Sequence, residues 1–124
     1  MPARHEHENK AQSNSQLWAS FDFPTTPYRD WVVAIMFYES VHWIEAFLAT
    51  KGLHSSGHPD RARTISRLSE LRLDQDFVSD YGVLRTESEN ARYYCYQHTT
   101  QQVTNDLIPA IWRIRAIIQR LLPH

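Results

Sequence analysis

Residues 28–51 read YRDWVVAIMFYESVHWIEAFLATK, and this stretch decides the fold of the chain. Apolar side chains recur in it at helical spacing on more than one face: Trp31, Ile35 and Tyr38 fall on one line, and Phe37 lies on another. A helix that is apolar around so much of its circumference must be covered by several neighbours. The stretch therefore predicts the central helix of a helical bundle.

Signals at both ends define this helix. Thr26 is suited to cap its N-terminus, Pro27 to be its first helical residue, and Asp30 to interact with the dipole in its first turn. Gly52 follows the last periodic residue, where a left-handed glycine commonly ends a helix. The predicted helix covers residues 28–51.

Three further helices are predicted from apolar stripes and punctuating residues. The second begins near Pro59, and its stripe consists of Ala62, Ile65, Leu68 and Leu71. The third has the stripe Phe77, Tyr81, Leu84, Ser88, Ala91 and Cys95. The last helix follows a capping box from Thr99 to Gln102 and is expected to kink at Pro109. Its apolar stripe consists of Val103, Leu107, Ala110 or Ile111, Ile114, Ile118 and Leu121.

These elements predict an all-α fold, an antiparallel four-helix bundle with an N-terminal arm or short extra helix. Residues 24–124 are expected to form the bundle. Residues 1–23 are expected to form a flexible tail that ends in an apolar hook containing Trp18 and Phe23, because the first 16 residues hold few apolar side chains. Trp112 lies off the last stripe and suggests a second apolar face for self-association.

Composition excludes several classes of protein. The chain has 124 residues and a formal net charge of −1, so it is expected to form one domain without the basic field needed for tight non-specific DNA binding. Cys95 is the only cysteine, which excludes an internal disulfide and favours a buried thiol in a reducing compartment. No run of 18 apolar residues is present, and the first residues are polar. We therefore expect a cytoplasmic protein with no membrane partner.

The seven histidines are scattered, and we expect no metal or other cofactor. His5 and His7 fall in the predicted tail, and His54 and His58 fall in a Ser/Gly loop with no further ligands nearby, where loop hydrogen bonding is the expected role. His42, inside the central helix, is expected to be buried and hydrogen-bonded.

Three stretches together resemble the HEPN family (higher eukaryotes and prokaryotes nucleotide-binding domains) of small helical bundles. The first is the aromatic stretch FYESVHWIEAFL over residues 37–48. The second is Gly52-Leu53-His54 followed by His58 and Arg61, similar to the family's Gly-x-His and His-x-x-Arg junction. The third is Leu84-Arg85 followed by Asn90-Ala91-Arg92-Tyr93. The resemblance covers roughly residues 27–122.

The resemblance implies a metal-independent endoribonuclease, since many family members use an Arg followed by a His after four to six residues. Arg92 and His98 have this order with five residues between them. The family favours a small polar residue after the Arg, whereas this chain has Tyr93. In such an enzyme Arg92 would stabilise the anionic phosphorane and His98 would take the proton of the 2′-hydroxyl.

The candidate substrate-binding residues are Arg85, Glu89 and Tyr96. Glu89, Arg92 and Tyr96 are spaced to share one helix face, where Glu89 would orient Arg92 or form a simple surface ion pair. On one straight helix, residues six apart point about 120° away from each other. A working site therefore predicts a homodimer that brings two copies of the Arg92 and His98 motif together.

Two functions follow from these observations. The first is a dimeric ribonuclease that cleaves RNA to a 2′,3′-cyclic phosphate, as a toxin or antiviral defence effector with a possible antitoxin partner. The alternative is a non-catalytic helical module for dimerisation, nucleotide binding or partner binding, for instance to a nucleotidyltransferase-like protein. The departure at Tyr93 and the neutral overall charge fit the alternative.

Overall fold

The computed structural model describes residues 3–123, and within that range it is built from helices without any strand. The helices are α1 (Arg4–Ala19), α2 (Arg29–Thr50), α3 (His58–Arg67), α4 (Ser69–Arg72), α5 (Gln75–Tyr93) and α6 (Ile108–Leu121), and a π-helical segment over Gln102–Leu107 leads into α6. The prediction of an all-α fold is confirmed.

Helix α2 is the centre of the structure, and it packs against α1, α5 and α6. Phe37, Trp43 and Ile44 are among its fully buried side chains, whereas Trp31 at its first turn is 62% exposed. By length and composition α2 could cross a membrane, but 78% of its most apolar window is buried inside the protein. Its apolar character is therefore accounted for by its place in the core.

The C-terminal end of α2 agrees with the prediction, whereas its N-terminal end differs: the N-cap is Tyr28 rather than Thr26, and Pro27 lies before the first helical residue. The helix begins two residues after Pro27, and the Thr26 hydroxyl accepts a hydrogen bond from the Tyr28 N–H at 3.0 Å. At the other end Gly52 has φ +69°, and the N–H groups of Gly52 and Leu53 donate to the carbonyls of Ala49 and Leu48. This pair of hydrogen bonds is the Schellman arrangement, so the left-handed cap predicted at Gly52 is confirmed.

The N-terminal segment differs from the predicted tail. Arg4–Ala19 is a helix packed along α2, and its buried residues His7, Ala11 and Trp18 lie on one face. Trp18 also stacks on Phe23, at 6.2 Å between ring centroids. Sequence patterning missed α1 because small and polar side chains make its contacts. Residues 1, 2 and 124 of the predicted ranges lie outside the described residues.

Two other predicted helices need correction. The second predicted helix is divided into α3 and α4, because Leu68 between them has an extended backbone with ψ 118°. The third ends at Tyr93, so Cys95 lies beyond the helix, is exposed, and has φ +54°. The prediction that Cys95 is buried is wrong, because the helical spacing no longer applies after Tyr93.

The last predicted helix has its expected buried stripe, since Val103, Leu107, Ile114 and Ile118 are all at most 1% exposed. Pro109 lies in the first turn of α6, where it has no N–H to donate. The structure accommodates Pro109 through the preceding π-helical segment, whose wider turn interrupts the regular α-helical ladder.

A fully buried carboxylate joins three helices. Glu39 on α2 accepts hydrogen bonds from the indole N–H of Trp18 on α1 at 2.7 Å and of Trp43 at 2.8 Å. The Arg115 guanidinium on α6 binds the same carboxylate through two N–H groups at 2.8 and 3.0 Å. Every donor around this charge comes from a side chain that the helices bring together.

We expect Glu39→Gln to lower the free energy of unfolding by about 2–4 kcal/mol, because it removes the counter-charge of the partly buried Arg115 guanidinium and places an amide NH2 group among three donor side chains. Urea denaturation followed by circular dichroism measures the change. Glu70→Gln is the matched control, since Glu70 forms an exposed ion pair with Lys51 and its loss should leave stability almost unchanged. Equal effects of the two substitutions would contradict a structural role for Glu39.

Candidate functional site

Arg92, near the end of α5, is held by neutral groups. Its Nη1 donates to the Tyr38 hydroxyl on α2 at 2.9 Å, and its Nε donates to the Ser88 carbonyl at 3.2 Å. The guanidinium carbon lies 5.5 Å from the ring centroid of Tyr38 and 4.9 Å from that of Tyr93. The guanidinium is therefore positioned by a hydroxyl, a carbonyl and two aromatic rings.

Within residues 3–123, no carboxylate forms an ion pair with Arg92. Several other guanidinium groups differ: Arg61 binds Glu45, Arg113 binds Asp80 and Arg115 binds Glu39. Arg29 resembles Arg92 in this respect, since its partners are the carbonyls of Phe23, Thr26 and His98. A partly buried cation with only neutral partners retains its electrostatic attraction for an anion. Arg92 therefore has the electrostatic character that an anion-binding group needs.

His58, the first residue of α3, packs near Tyr38, the residue that Arg92 also contacts. Its ring is 6.3 Å from the Tyr38 ring and 5.2 Å from the Phe37 ring, measured between centroids. Burial, followed by the nearby charges of Arg61, Arg92 and Arg85, lowers the pKa of His58. The imidazole is therefore neutral at pH 7. We call Tyr38, His58, Arg85, Arg92 and Tyr93 the Arg92 site.

His98 occupies a different environment. It is 2% exposed, and its ring nitrogens lie 3.4 Å from an Asp30 carboxylate oxygen and 3.1 Å from a Glu87 carboxylate oxygen. Its backbone N–H donates to Asp30, and its carbonyl accepts from Arg29 Nε at 2.9 Å. His98 therefore fastens the segment after α5 to both α2 and α5.

Arg92 and His98 contact different parts of α2. Arg92 contacts Tyr38, whereas His98 contacts Asp30, and positions 38 and 30 are separated by about 12 Å along a helix axis. Within one chain the two side chains share no hydrogen-bond partner among the described residues. Their meeting across a dimer stays a prediction.

The predicted substrate-binding residues separate in the structure. Arg85 Nε forms an ion pair with Glu89 at 3.4 Å on the surface of α5. Tyr96 lies beyond the end of α5, where its hydroxyl accepts from Gln102 Nε2 at 2.7 Å and its ring packs edge-on against His98. The helix face expected to join Glu89, Arg92 and Tyr96 does not form, because α5 ends at Tyr93.

The predicted capping box is present, and it explains where His98 leaves the helical path. The Thr99 N–H donates to Gln102 Oε1 at 2.8 Å, and the Gln102 N–H donates to the Thr99 hydroxyl at 3.1 Å. The two reciprocal hydrogen bonds begin the last helix directly after His98. The helix boundary predicted at this point is confirmed.

A second group of histidines lies between α1 and α2. His42 Nδ1 is 3.0 Å from His7 Nδ1, and burial and the neighbouring His7 lower the pKa of His42 to about 4. The predicted hydrogen bond of His42 is present, but the side chain is half-buried rather than buried. His7, Glu45 and His54 line a nearby cavity of about 280 Å³. Among residues 3–123, no three His, Cys, Asp or Glu side chains are grouped as metal ligands.

Sequence reasoning did not connect His58 or Tyr38 with Arg92. Both residues fall in stretches that carry the family resemblance, Tyr38 in the aromatic stretch and His58 three residues before Arg61. Their place in these stretches was the signal in the sequence that could have linked them to Arg92. The contact of Tyr38 with Arg92 depends on the packing of α2 against α5, and His58 comes near Arg92 because it packs near Tyr38. No local spacing in the sequence reports either arrangement.

We expect His98→Ala to lower the free energy of unfolding by about 1–3 kcal/mol, because it leaves the partly buried carboxylates of Asp30 and Glu87 without their donor. Chemical denaturation measures the change. His5→Ala is the control, since the His5 side chain is 82% exposed and its removal should have little effect. If the free energy of unfolding of His98→Ala equals that of the wild type, the contacts of His98 with Asp30 and Glu87 do not stabilise the fold.

Comparisons of the chain with protein-family models, with characterised proteins and with solved structures found no match. The resemblance to the HEPN family therefore stays a prediction. A function must therefore be proposed from the chemistry of the Arg92 site.

Proposed function

We propose that this protein is a non-catalytic helical module that binds the phosphate groups of single-stranded RNA at the Arg92 site. The observation that carries the proposal is the Arg92 guanidinium, which Tyr38 and Ser88 hold in place without a carboxylate partner among residues 3–123. A planar guanidinium with free N–H groups matches the oxygens of a phosphate.

The groups around Arg92 add to its preference for an anion. Arg85 contributes a second positive charge on α5, although Glu89 partly compensates it at 3.4 Å. The neutral His58 ring adds no negative charge and keeps one N–H that can donate. The site therefore offers donors and positive charge rather than a proton acceptor.

Exposed aromatic rings favour RNA over a free phosphate ion. Tyr93 and Tyr94 directly follow Arg92 and are 68% and 72% exposed. Unpaired bases stack on such rings, and base stacking on an aromatic side chain contributes about 1–3 kcal/mol. A phosphate on Arg92 with an adjacent base on one of these rings uses both features together.

The proposal predicts weak, local binding. The net charge of −1 provides no extended basic surface, so few phosphates are contacted and the affinity should fall only moderately with added salt. A cytoplasmic location, which the single cysteine favours, belongs to this proposal because RNA is present there.

Arg92→Ala should weaken the binding of a short oligouridylate at least about tenfold, because a hydrogen bond to a charged group contributes about 1.5–3 kcal/mol. NMR titration at low salt measures the affinity, with inorganic phosphate as a second titrant. Arg72→Ala, at an exposed arginine of α4, is the matched control and should bind like the wild type. Equal affinity of Arg92→Ala and the wild type would overturn the proposal.

Metal-independent RNA cleavage by a HEPN-like homodimer is a second proposal. It is favoured by the position of Arg92, which is partly buried yet has no carboxylate partner among residues 3–123, as a phosphorane-stabilising group requires. In this case His98 must exchange its contacts with Asp30 and Glu87 for contacts across the dimer. A toxin or defence role, with an antitoxin or a nucleotidyltransferase-like partner, belongs to this proposal, and so does a HEPN-like four-helix arrangement.

Cleavage predicts RNA products that end in 2′,3′-cyclic phosphate when EDTA is present, and their loss in both Arg92→Ala and His98→Gln. Electrophoresis of labelled RNA after incubation with purified protein detects them, and light scattering measures the dimer. Trp112, which is 56% exposed on α6, is the position where Trp112→Glu should weaken self-association. RNA that stays intact while it binds to Arg92 would favour the non-catalytic module.

A further inference from the structure

A chain of polar contacts leads from a buried carboxylate to His58. Glu45 on α2 is 3% exposed, and its Oε1 accepts from Arg61 Nε at 2.9 Å. Arg61 is 7% exposed, and its Nη1 lies 2.8 Å from His58 Nδ1. One guanidinium thus bridges a buried carboxylate and an imidazole.

This contact determines which nitrogen of His58 carries the proton. Arginine has only donors and stays charged, so Nδ1 must accept the hydrogen bond from Arg61 and cannot carry a hydrogen. A neutral imidazole then has its proton on Nε2. The ring can donate through Nε2 but has no lone pair available there for a substrate proton.

Arg61 is held firmly enough to impose this state. The Glu45 carboxylate that binds it also accepts from the Ser55 N–H at 3.4 Å and lies 3.7 Å from His54 Nδ1. A guanidinium that is paired and buried in this way does not turn away from His58 without leaving Glu45 unpaired.

We propose that Arg61 and Glu45 are positioning residues that hold His58 as the neutral tautomer with its proton on Nε2, so that the ring serves the Arg92 site as a hydrogen-bond donor and not as a base. The donor role of His58 rests on the proposed phosphate site, whereas its tautomer rests on the contacts of Arg61.

The charged and titratable groups around His58 come from three helices. Arg61 lies on α3, and Arg85, Glu89 and Arg92 lie on α5, while Tyr38 from α2 packs beside the ring. Three of these groups are cations, and together with burial they lower the pKa of His58. Protonation of the ring would place a further cation among them and break the hydrogen bond from Arg61.

The decisive experiment is ¹⁵N NMR of the histidine rings in the full chain, without RNA, between pH 6 and 8. At pH 7 and above, His58 should show an unprotonated Nδ1 and a protonated Nε2, because Arg61 fixes the tautomer and the lowered pKa keeps the ring neutral. A proton on Nδ1, an even mixture of tautomers, or titration near the ordinary histidine pKa would overturn the inference.

Arg61→Lys tests the cause, since it keeps a positive charge beside Glu45 but lacks the fork that reaches both partners. The variant should populate the Nδ1–H tautomer and bind oligouridylate about two- to tenfold more weakly, because molecules with the proton on Nδ1 offer no Nε2–H to the phosphate. Arg63→Lys, the same change at an exposed position of α3, is the control and should alter neither property.

The two proposals can fail separately. The tautomer of wild-type His58 is measured without RNA, so it decides the positioning role even if Arg61→Lys does not fold. If Nε2 carries the proton and Arg92→Ala binds RNA like the wild type, the proposal of a phosphate site is wrong, and so is the proposed role of His58 as a donor to that phosphate. If RNA binding depends on Arg92 but Nδ1 carries the proton, only the positioning role is wrong.

Discussion

The buried carboxylate of Glu39 is the constraint on which the arrangement of the helices depends. A charge with no solvent contact is tolerated only when hydrogen bonds and an opposite charge replace its hydration. Here Trp18, Trp43 and Arg115 supply them from α1, α2 and α6. Because no one helix carries all the donors, the carboxylate is satisfied only when the three helices are packed together. It thereby fixes α1, whose small apolar face alone would dock weakly.

The same principle, applied along α2, explains why Arg92 is left for a ligand. Glu39 neutralises Arg115 and Glu45 neutralises Arg61, so the buried carboxylates of α2 are already paired. Where α5 brings Arg92 against α2, it meets the hydroxyl of Tyr38 instead. A hydroxyl positions a guanidinium without cancelling its charge. At the Arg92 site the structure therefore holds a cation in place without a carboxylate partner among residues 3–123, which is the basis of the proposed phosphate binding.

Features set by neighbouring residues were predictable, and features set by packing were not. The Gly52 cap, the Thr99 and Gln102 capping box and the stripe of the last helix depend on backbone geometry within a few residues, and the structure has all of them. An extra N-terminal helix was predicted only as an alternative to an arm, and the full extent and docking of α1 were not predicted, because the docking includes a polar contact from Trp18 to a residue 21 positions away. The proximity of His58 to Arg92 was not predicted either, because it depends on packing between residues that are far apart in the sequence. Spacing drew attention to Arg92 and His98 together, although their contacts in the folded chain are separate.

The contacts of the two histidines are the reason for proposing binding rather than catalysis by a single chain. A general base needs a nitrogen lone pair that can reach the substrate. In His98 both ring nitrogens face carboxylates, and the side chain is almost completely buried. In His58 the unprotonated nitrogen accepts from Arg61, which leaves only an N–H to offer. The His58 ring is thus suited to donate to an oxygen of the proposed phosphate ligand and unsuited to remove a proton. Cleavage would require a second copy of the chain to rearrange one of these rings, whereas binding requires no change in the structure.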